Sequence, residues 1–209
     1  MADNLARAQL ARLARGFAQQ ARSPLPALAL FTDDVRLADP LPSIRALPRG
    51  SMVVLRERNA DRRRSLAAAV SRIARERRLV WLIADDPGLA TAMRAHGVHF
   101  PEAKLARAAH WRAARPRWLI TGSAHSLSAC TRASRAGVDV IFLSSAFTTM
   151  SHPGRPSLGL LRVRTIAKQM KIPIYPLGGI DAHAARRLAG APLAGLAALG
   201  ALAVETAQL

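Results

Sequence analysis

Short apolar segments alternate with amphipathic ones along almost the whole chain. Because the apolar segments would be buried on both faces, they are typical of strands in a parallel sheet. Between them, apolar residues recur every three to four positions, as on one face of a helix. Eight segments are predicted as strands: 27–31, 52–55, 79–83, 97–100, 118–120, 138–143, 172–177 and 193–199. Two clear helical segments are 65–78 and 127–136.

Eight strands alternating with helices within 209 residues predict an α/β fold. The strand count and the length favour a closed (β/α)8 TIM barrel, with an open doubly wound sheet as the alternative. Residues 1–22 are predicted to form an N-terminal helical extension that covers the bottom of the barrel. Pro24 and Pro26 separate it from a single barrel domain, residues 27–209.

Composition narrows the class of protein. Hydrophobic residues make up 50% of the chain and aromatic residues 4%, so the core must be mostly aliphatic. No apolar run is long enough for a membrane span, and the N-terminus lacks the apolar region of a secretory signal. Cys130 is the single cysteine, which excludes an internal disulfide. We therefore expect a cytoplasmic protein, and a homo-oligomer is compatible with the sequence.

The formal net charge of +18 raises the question of nucleic-acid binding. The two dense arginine clusters, at 62–64 and 75–78, fall on one predicted helix, where they form a solvated face. No aromatic residues are interleaved with them for stacking on bases. The pattern argues against a nucleic-acid partner, and a basic surface would still attract small anionic substrates.

Polar and small residues cluster where the predicted strands end. In a TIM barrel the chemistry takes place at the carboxyl ends of the strands, so these residues are the candidates for a site. They are Thr32 and Asp33; Arg56 and Arg58; Asp85 and Asp86; His99; Ser123 and His125; Ser144 and Ser145; Gly178 and Gly179; and Gly200.

Two features predict binding of phosphate groups. Arg56 and Arg58 would point to the same side and form a fork for phosphate oxygens, unless they pair with Asp33 or Asp85 instead. Gly178 and Gly179 come between a strand and a helix, where backbone amides can approach a phosphate closely; a plain tight turn is the alternative.

Acidic and imidazole groups at the strand ends suggest further roles. Asp85 could bind Mg²⁺, whereas Asp86 fits the N-cap of the following helix. His125 could transfer protons near neutral pH, or be an ordinary loop histidine. A long loop, 144–159, is rich in small and hydroxyl residues and includes His152, and such loops often act as lids over a site.

Taken in order, these motifs resemble the thiamine phosphate synthase family, which includes a thiazole tautomerase branch. The resemblance covers residues 27–202. It rests on Thr32-Asp33, Leu55-Arg56-Glu57-Arg58, Ile83-Ala84-Asp85-Asp86, Gly97-Val98-His99, Gly122-Ser123-Ala124-His125-Ser126, Phe147-Thr148-Thr149-Met150-Ser151-His152, Gly178-Gly179-Ile180 and Gly195-Leu196-Ala197.

The resemblance implies a transferase of thiamine biosynthesis. Such an enzyme joins a hydroxymethylpyrimidine diphosphate to a thiazole phosphate, releasing pyrophosphate, with Mg²⁺ as cofactor. It would place pyrophosphate on Arg56, Arg58, Ser123 and His152, and Mg²⁺ on Asp85. The thiazole phosphate would lie on Thr149, Ser151, Gly178 and Gly179, close to Gly200.

The chain departs from the family pattern at four positions. Ala84 replaces an expected asparagine, Lys104 replaces a second metal-binding aspartate, His152 replaces a lysine, and Gly200 replaces a serine. With Lys104 in place of an acid, we expect weak Mg²⁺ binding, and Lys104 itself could neutralise pyrophosphate. Two alternatives to a synthase stay open: a thiazole tautomerase that uses His125, supported by Ser123, and a non-catalytic protein that binds a phosphorylated ligand.

Overall fold

Eight parallel strands form one sheet in the computed structural model, which describes residues 2–148 and 156–204. The order is β7-β6-β5-β4-β3-β2-β1-β8. Ala194, just before β8, donates a backbone hydrogen bond of 3.0 Å to Ile174 in β7, so the sheet curls into a nearly closed barrel. The strands are β1 (Leu28–Phe31), β2 (Met52–Leu55), β3 (Val80–Ala84), β4 (Gly97–Phe100), β5 (Leu119–Ala124), β6 (Val140–Leu143), β7 (Ile174–Pro176) and β8 (Leu196–Ala198).

Helices alternate with the strands, as the apolar spacing predicts, and the (β/α)8 barrel is confirmed over the doubly wound sheet. No helix within residues 2–148 and 156–204 is long and apolar enough to cross a membrane. The helices are α1 (Ala2–Gln20), α2 (Leu41–Ala46), α3 (Ala60–Arg77), α4 (Pro87–Ala92), α5 (Arg107–Ala114), α6 (Leu127–Arg135), α7 (Gly159–Gln169) and α8 (Ala182–Arg187), with short 3₁₀ turns at Glu102–Lys104 and Gly200–Leu202.

All eight predicted strands form, and the largest difference in bounds is at β5. Its predicted end at residue 120 is wrong, because the strand continues to Ala124. Thr121 and Ser123 look like loop residues in sequence, but Thr121 is buried and lies in register with His99 of β4. Polar residues are tolerated there because they hydrogen-bond with each other inside the barrel.

The core has two parts, one inside the barrel and one between the sheet and the helices. Inside, the rings of Phe31, His99 and Phe142 pack edge to face, with centroids 4.7 to 5.6 Å apart. Tyr175 fills the space beside Phe142, and its hydroxyl donates to the Pro26 carbonyl at 2.8 Å. Few but large interior rings therefore compensate for a core that is otherwise aliphatic.

The N-terminal helix α1 does not cover the bottom of the barrel, so that expectation is wrong. It packs against α8 and the 3₁₀ turn at Gly200–Leu202. Arg7 near its start donates to the carbonyl of Ala203 at 2.9 Å, and its end leads into β1, so α1 runs along the outer wall. Only a short turn comes after β8 within the described residues, and α1 covers the wall that a helix after β8 would otherwise cover.

Candidate active site

The loops at the carboxyl ends of the eight parallel strands lie at one end of the barrel, which we call the mouth. Arg56 follows β2, Asp85 follows β3, His125 follows β5 and Gly179 follows β7, while Ser123 lies near the end of β5. The structure thus brings these predicted residues to the same end. A cleft of about 640 Å³ lies at the other end, beside the starts of β3 and β4. In that cleft the His96 ring accepts a hydrogen bond from the Trp81 amide.

The backbone at Arg56 is fixed by Thr32. The Thr32 hydroxyl donates to the Arg56 carbonyl at 2.9 Å and accepts from the Arg56 amide at 2.8 Å. Next along the chain, Glu57 turns inward, is buried, and pairs with Arg62 at 3.4 Å. The chain after β2 therefore holds Arg56 in place while its side chain stays about half exposed at 47%.

The predicted fork of Arg56 and Arg58 is only partly available to a ligand, because aspartates engage part of it. Arg58 forms a two-pronged ion pair with Asp34, with its Nε 2.9 Å from Oδ2 and its Nη2 3.1 Å from Oδ1. Arg56 lies farther from Asp33, at 3.8 Å, and Arg36 is that carboxylate's closer partner at 3.2 Å. Arg58 thus pairs with an aspartate as the alternative predicted, although the partner is Asp34, whereas Arg56 keeps most of its guanidinium available.

Asp85 is the predicted metal ligand, and its carboxylate contacts two cationic side chains. Lys104 Nζ donates to Oδ2, and Arg107 Nη1 donates to Oδ1 at 3.0 Å. Asp86 is the N-cap of α4 as predicted, because its Oδ1 accepts from the Leu89 amide at 2.9 Å. Lys104, at the position expected to bear an acid, is therefore already a partner of Asp85.

Inside the mouth, His99 joins Thr121 and Ser123 in a hydrogen-bonded chain. The Nδ1 atom of His99 lies 2.9 Å from Thr121 Oγ1, and its Nε2 atom lies 2.9 Å from Ser123 Oγ. Complete burial, with a smaller effect of the Arg56 charge, lowers the pKa of His99 to about 3. The ring is therefore neutral at physiological pH and holds the partly exposed Ser123 hydroxyl in one place.

His125 pairs with a carboxylate at the rim of the mouth. Its Nδ1 lies 2.7 Å from Glu102 Oε2, and its backbone amide donates to the same oxygen at 2.9 Å. Arg132 donates to the other oxygen, Oε1, at 2.8 Å. The carboxylate orients the ring and leaves the exposed Nε2 side toward solvent, so His125 is more than an unanchored loop histidine.

Gly178 and Gly179 form a left-handed turn against the chain that follows β6. Their φ angles are +95° and +64°, and a Cβ on Gly179 would lie 2.5 Å from the Thr148 carbonyl oxygen. No group within residues 2–148 and 156–204 accepts a hydrogen bond from the amides of Gly178, Gly179 or Ile180. Backbone geometry of this kind suits a phosphate.

Three of the predicted phosphate-binding residues belong to the loop between β6 and α7. Thr149, Ser151 and His152, together with the middle of the proposed lid, lie outside the described residues. The two ends of that loop are joined, because Leu158 donates to Ser145 and Gly159 donates to Ala146, each at 2.9 Å. Gly200 is exposed and begins the 3₁₀ turn after β8, at the same end of the barrel as Gly179.

Comparison with known proteins identifies the family. The family described as thiamine monophosphate synthase matches residues 28–202. The chain belongs to this family. A putative thiamine-phosphate synthase 2 from Aquifex aeolicus is 35% identical over 131 residues, which are 62% of this chain and 70% of that protein. A thiamine-phosphate synthase from Thermus thermophilus is 34% identical over 143 residues, covering 66% and 68%.

A solved structure supports the fold of this thiamine monophosphate synthase family member. The thiamine phosphate pyrophosphorylase from Pyrococcus furiosus superposes with a TM-score of 0.72 at 24% identity, covering 82% of this chain and 84% of that one. At this identity the likeness establishes the barrel rather than the chemistry. The resemblance read from the ordered motifs is thereby confirmed.

The residues present do not fit the Mg²⁺ that this family uses. A magnesium site needs oxygen ligands in near-octahedral geometry, usually with one or two carboxylates. Both oxygens of Asp85 contact cationic side chains, and the second expected acid is Lys104. No group of three histidine, cysteine or acidic residues among those described could hold a metal ion.

Two features of the family member's site go beyond the sequence-based predictions. His99 was predicted only as a strand-end candidate without a role, and Thr121 was not predicted, although their alternation with Ser123 on adjacent strands places all three on the inner face of the barrel. Arg107 was missed because it lies in an ordinary helical pattern, three residues after Lys104. Its spacing from Lys104 on one helical turn was the available signal.

Proposed function

We propose that this protein is a thiamine phosphate synthase that joins a hydroxymethylpyrimidine diphosphate to a thiazole phosphate. The supporting observation is that the mouth holds two different features suited to anions, on opposite sides. Arg56, Lys104 and Arg107 follow β2 and β4 on the two sides of β3, whereas Gly178 and Gly179 follow β7. In the order of the sheet, β3 and β7 are four strands apart, so they face each other across an eight-stranded barrel.

Two separated anion sites suit a reaction between two phosphorylated molecules. The cationic side would bind the diphosphate, because guanidinium and ammonium groups match its charge and its oxygens. The glycine side would bind the single phosphate of the thiazole through backbone amides. Fixing both phosphates would bring the two rings together over the centre of the barrel, which is the main contribution that positioning makes to such a reaction.

The centre of the mouth would align the rings. His99 holds the Ser123 hydroxyl, whose remaining hydrogen-bonding capacity is available to a ring nitrogen or amine. The interior rings of Phe31 and Phe142 lie beside His99 and exclude water from below. Charge that develops on the departing diphosphate would then be met by Arg56 and by the cations around Asp85.

The experiment is to incubate the purified protein with both substrates and to measure thiamine phosphate and pyrophosphate. Equal amounts of the two products are expected. Omitting either substrate is the control, since release of pyrophosphate without the thiazole would indicate simple hydrolysis. If no thiamine phosphate forms while the protein remains folded, the synthase proposal is wrong.

A second candidate function is the thiazole tautomerase, and the His125–Glu102 pair favours it. A carboxylate on Nδ1 holds the ring so that Nε2 can exchange a proton with a bound substrate. This reaction needs only one phosphorylated ligand and leaves the cationic side without a role. Loss of activity on His125→Ala but not on Arg56→Ala would support it. The cytoplasmic location and a homo-oligomer stay predictions.

A further inference from the structure

The Asp85 carboxylate has both of its oxygens engaged by cations. Lys104 donates to Oδ2 and Arg107 donates to Oδ1 at 3.0 Å. The Asp85 side chain is 29% exposed, so this three-residue cluster is partly shielded from water. A divalent cation would require the same lone pairs that the ammonium and guanidinium groups now occupy.

The fold itself places the two cations. Lys104 ends a 3₁₀ turn, and its amide donates to the Pro101 carbonyl at 2.9 Å. Arg107 begins α5, and its guanidinium lies 5.5 Å from the centre of the Phe100 ring. The backbone of Asp85 has a φ of +57°, and its amide donates to the His99 carbonyl at 2.8 Å. All three members are therefore anchored to β4 or to its continuation.

The neighbouring acidic side chains also form hydrogen bonds and ion pairs with other groups. Asp86 caps α4 through Oδ1 and pairs with Arg63 through Oδ2 at 3.2 Å. Glu102 binds His125 and Arg132. Completing a metal shell from these carboxylates would mean breaking at least one ion pair for each ligand gained. The local chemistry thus favours an anion over a divalent cation.

The charge of the cluster supports the same conclusion. Magnesium held by two carboxylates has no net charge, whereas Lys104 and Arg107 with Asp85 carry one net positive charge. We propose that Lys104 and Arg107 take the place of a divalent cation, and that this chain binds the pyrophosphate group without Mg²⁺. The inference rests on the proposed synthase function for its role in turnover, but the anion site can be measured without turnover.

The synthase reaction consumes no co-reactant besides the two substrates. The thiazole nitrogen forms a bond to the methylene carbon of the pyrimidine, and the bond from that carbon to the pyrophosphate oxygen breaks. The electron pair leaves with the oxygen, and the ring nitrogen becomes the cationic centre of the product. Lys104 and Arg107 would meet the negative charge on the leaving group, and Asp85 is a positioning residue that holds them.

The first test measures binding of inorganic pyrophosphate to the full chain by calorimetry in excess EDTA. Binding is expected, and Lys104→Met and Arg107→Met should each weaken it by about tenfold. The control is Lys171→Met, which removes a lysine charge as Lys104→Met does. Lys171 is exposed and lies before β7, at the other end of the barrel, so its replacement should not change pyrophosphate binding. Binding that appears only after Mg²⁺ is added would overturn the proposal.

The second test measures Mg²⁺ alone, and then activity. Free unmodified protein should show no heat of Mg²⁺ binding, whereas Lys104→Asp, checked for folding by its melting temperature, should bind Mg²⁺. Thiamine phosphate formation by the unmodified protein should change by less than about threefold between EDTA and Mg²⁺. Tight Mg²⁺ binding, or a rate that EDTA abolishes and Mg²⁺ restores, would overturn the inference while leaving the synthase proposal intact.

A different result would separate the two proposals. If no thiamine phosphate forms under either condition, but pyrophosphate still binds in EDTA and depends on Lys104 and Arg107, the synthase proposal fails. The metal-free anion site would then be upheld by calorimetry alone.

Discussion

The two sides of the mouth would bind anions by different physical means. On the side of β1 to β4 the site is made of charged side chains, and five carboxylates there are each paired with a cation, those of Asp33, Asp34, Glu57, Asp85 and Asp86. On the side of β7, an uncharged turn at Gly178 and Gly179 offers backbone amides. The first arrangement depends on which side chains are present, whereas the second depends on the path of the backbone.

This difference bears on one departure from the family pattern, that of Lys104. We propose that Lys104, in place of an acid, makes the charged side bind the anion directly and without a metal, because a side-chain site can be rebuilt by substitution. The glycine side cannot change in that way, since a Cβ on Gly179 would meet the Thr148 carbonyl oxygen. The comparison predicts that charge substitutions act on one side and volume substitutions on the other.

The largest expected effect is that of Arg56→Ala. Its guanidinium is about half exposed and only loosely paired with Asp33, so its charge is available to the diphosphate. Loss of a group that meets charge in the transition state typically lowers turnover by about a hundredfold or more. Steady-state rates of thiamine phosphate formation provide the measurement. Arg135→Ala, an exposed arginine at the end of α6, is the matched control and should keep full activity. Equal activity in the two variants would count against the charged side of the comparison.

Gly179→Ala should disrupt the glycine side of the mouth. The added methyl group would lie 2.5 Å from the Thr148 oxygen and 2.8 Å from Phe147 Cβ, so the turn must shift. We expect the KM for the thiazole phosphate to rise by about tenfold, with pyrophosphate binding unchanged.

Gly50→Ala is the control for the cost of the left-handed backbone. Gly50 has a φ of +77° and open space around its Cβ position. Gly50→Ala should lose about 1–2 kcal/mol of unfolding free energy in urea titrations, because an alanine is strained at positive φ. Gly179→Ala should lose at least as much, because its methyl group also clashes with the chain after β6. Only Gly179→Ala should alter the KM. A raised KM in both variants would show that loss of stability, and not the phosphate turn, is responsible.

The strand pattern predicted the fold because the strands are mostly apolar and buried, and buried parallel strands leave a strong signal in sequence. Sequence also placed Asp86 at its cap and Arg56, Asp85 and Ser123 at one end of the barrel. It failed where the outcome depends on contacts between distant segments. The end of β5 was missed because Thr121 is polar, and only its bond to His99 makes burial of that strand end acceptable.

The ion-pair partners of the charged side chains were equally difficult to predict from the sequence. From spacing alone Arg58 could bind a ligand or an aspartate, and the structure shows it on Asp34. The position of α1 along the wall depends on the short turn after β8, which the apolar pattern of α1 itself does not specify. Periodicity reports which face of an element is buried, whereas the partner of each charged group is set by tertiary structure.

The pH dependence of the free energy of unfolding should test the protonation state of His99, which lies inside the barrel between the two sides of the mouth. Because burial lowers the pKa of His99 to about 3, the unfolded chain binds a proton there below its ordinary pKa of 6.5 and the folded chain does not. The stabilisation is complete above pH 6.5 and declines as the pH falls from 6.5 toward 3. We expect a loss of about 1.4 kcal/mol per pH unit from this residue.

Urea unfolding at pH 7 and pH 5 provides the measurement, with His99→Gln as the comparison. Burial also lowers the pKa of His96, which acts in the same direction, so the difference between the two proteins isolates His99. This range avoids the region below pH 4, where Asp33 and Asp34, whose pKa values are lowered, would also contribute. Parallel pH profiles for the two proteins would show that His99 is not held neutral by burial.

The smallest expected effect distinguishes a ligand-binding arginine from one that is only paired with its neighbour. Arg58 is exposed and its guanidinium is engaged by Asp34, which also raises the pKa of Arg58. If Arg58 contributes to diphosphate binding, Arg58→Met should raise the KM for the pyrimidine diphosphate by about threefold, since an exposed charge is screened by salt. Asp34→Asn should lower the KM or leave it unchanged, because it releases the guanidinium from its partner. Both variants should keep the melting temperature, as is usual for exposed ion pairs. A rise in KM of similar size in both variants would instead mean that the ion pair as a unit shapes the loop, and that Arg58 does not contact the substrate.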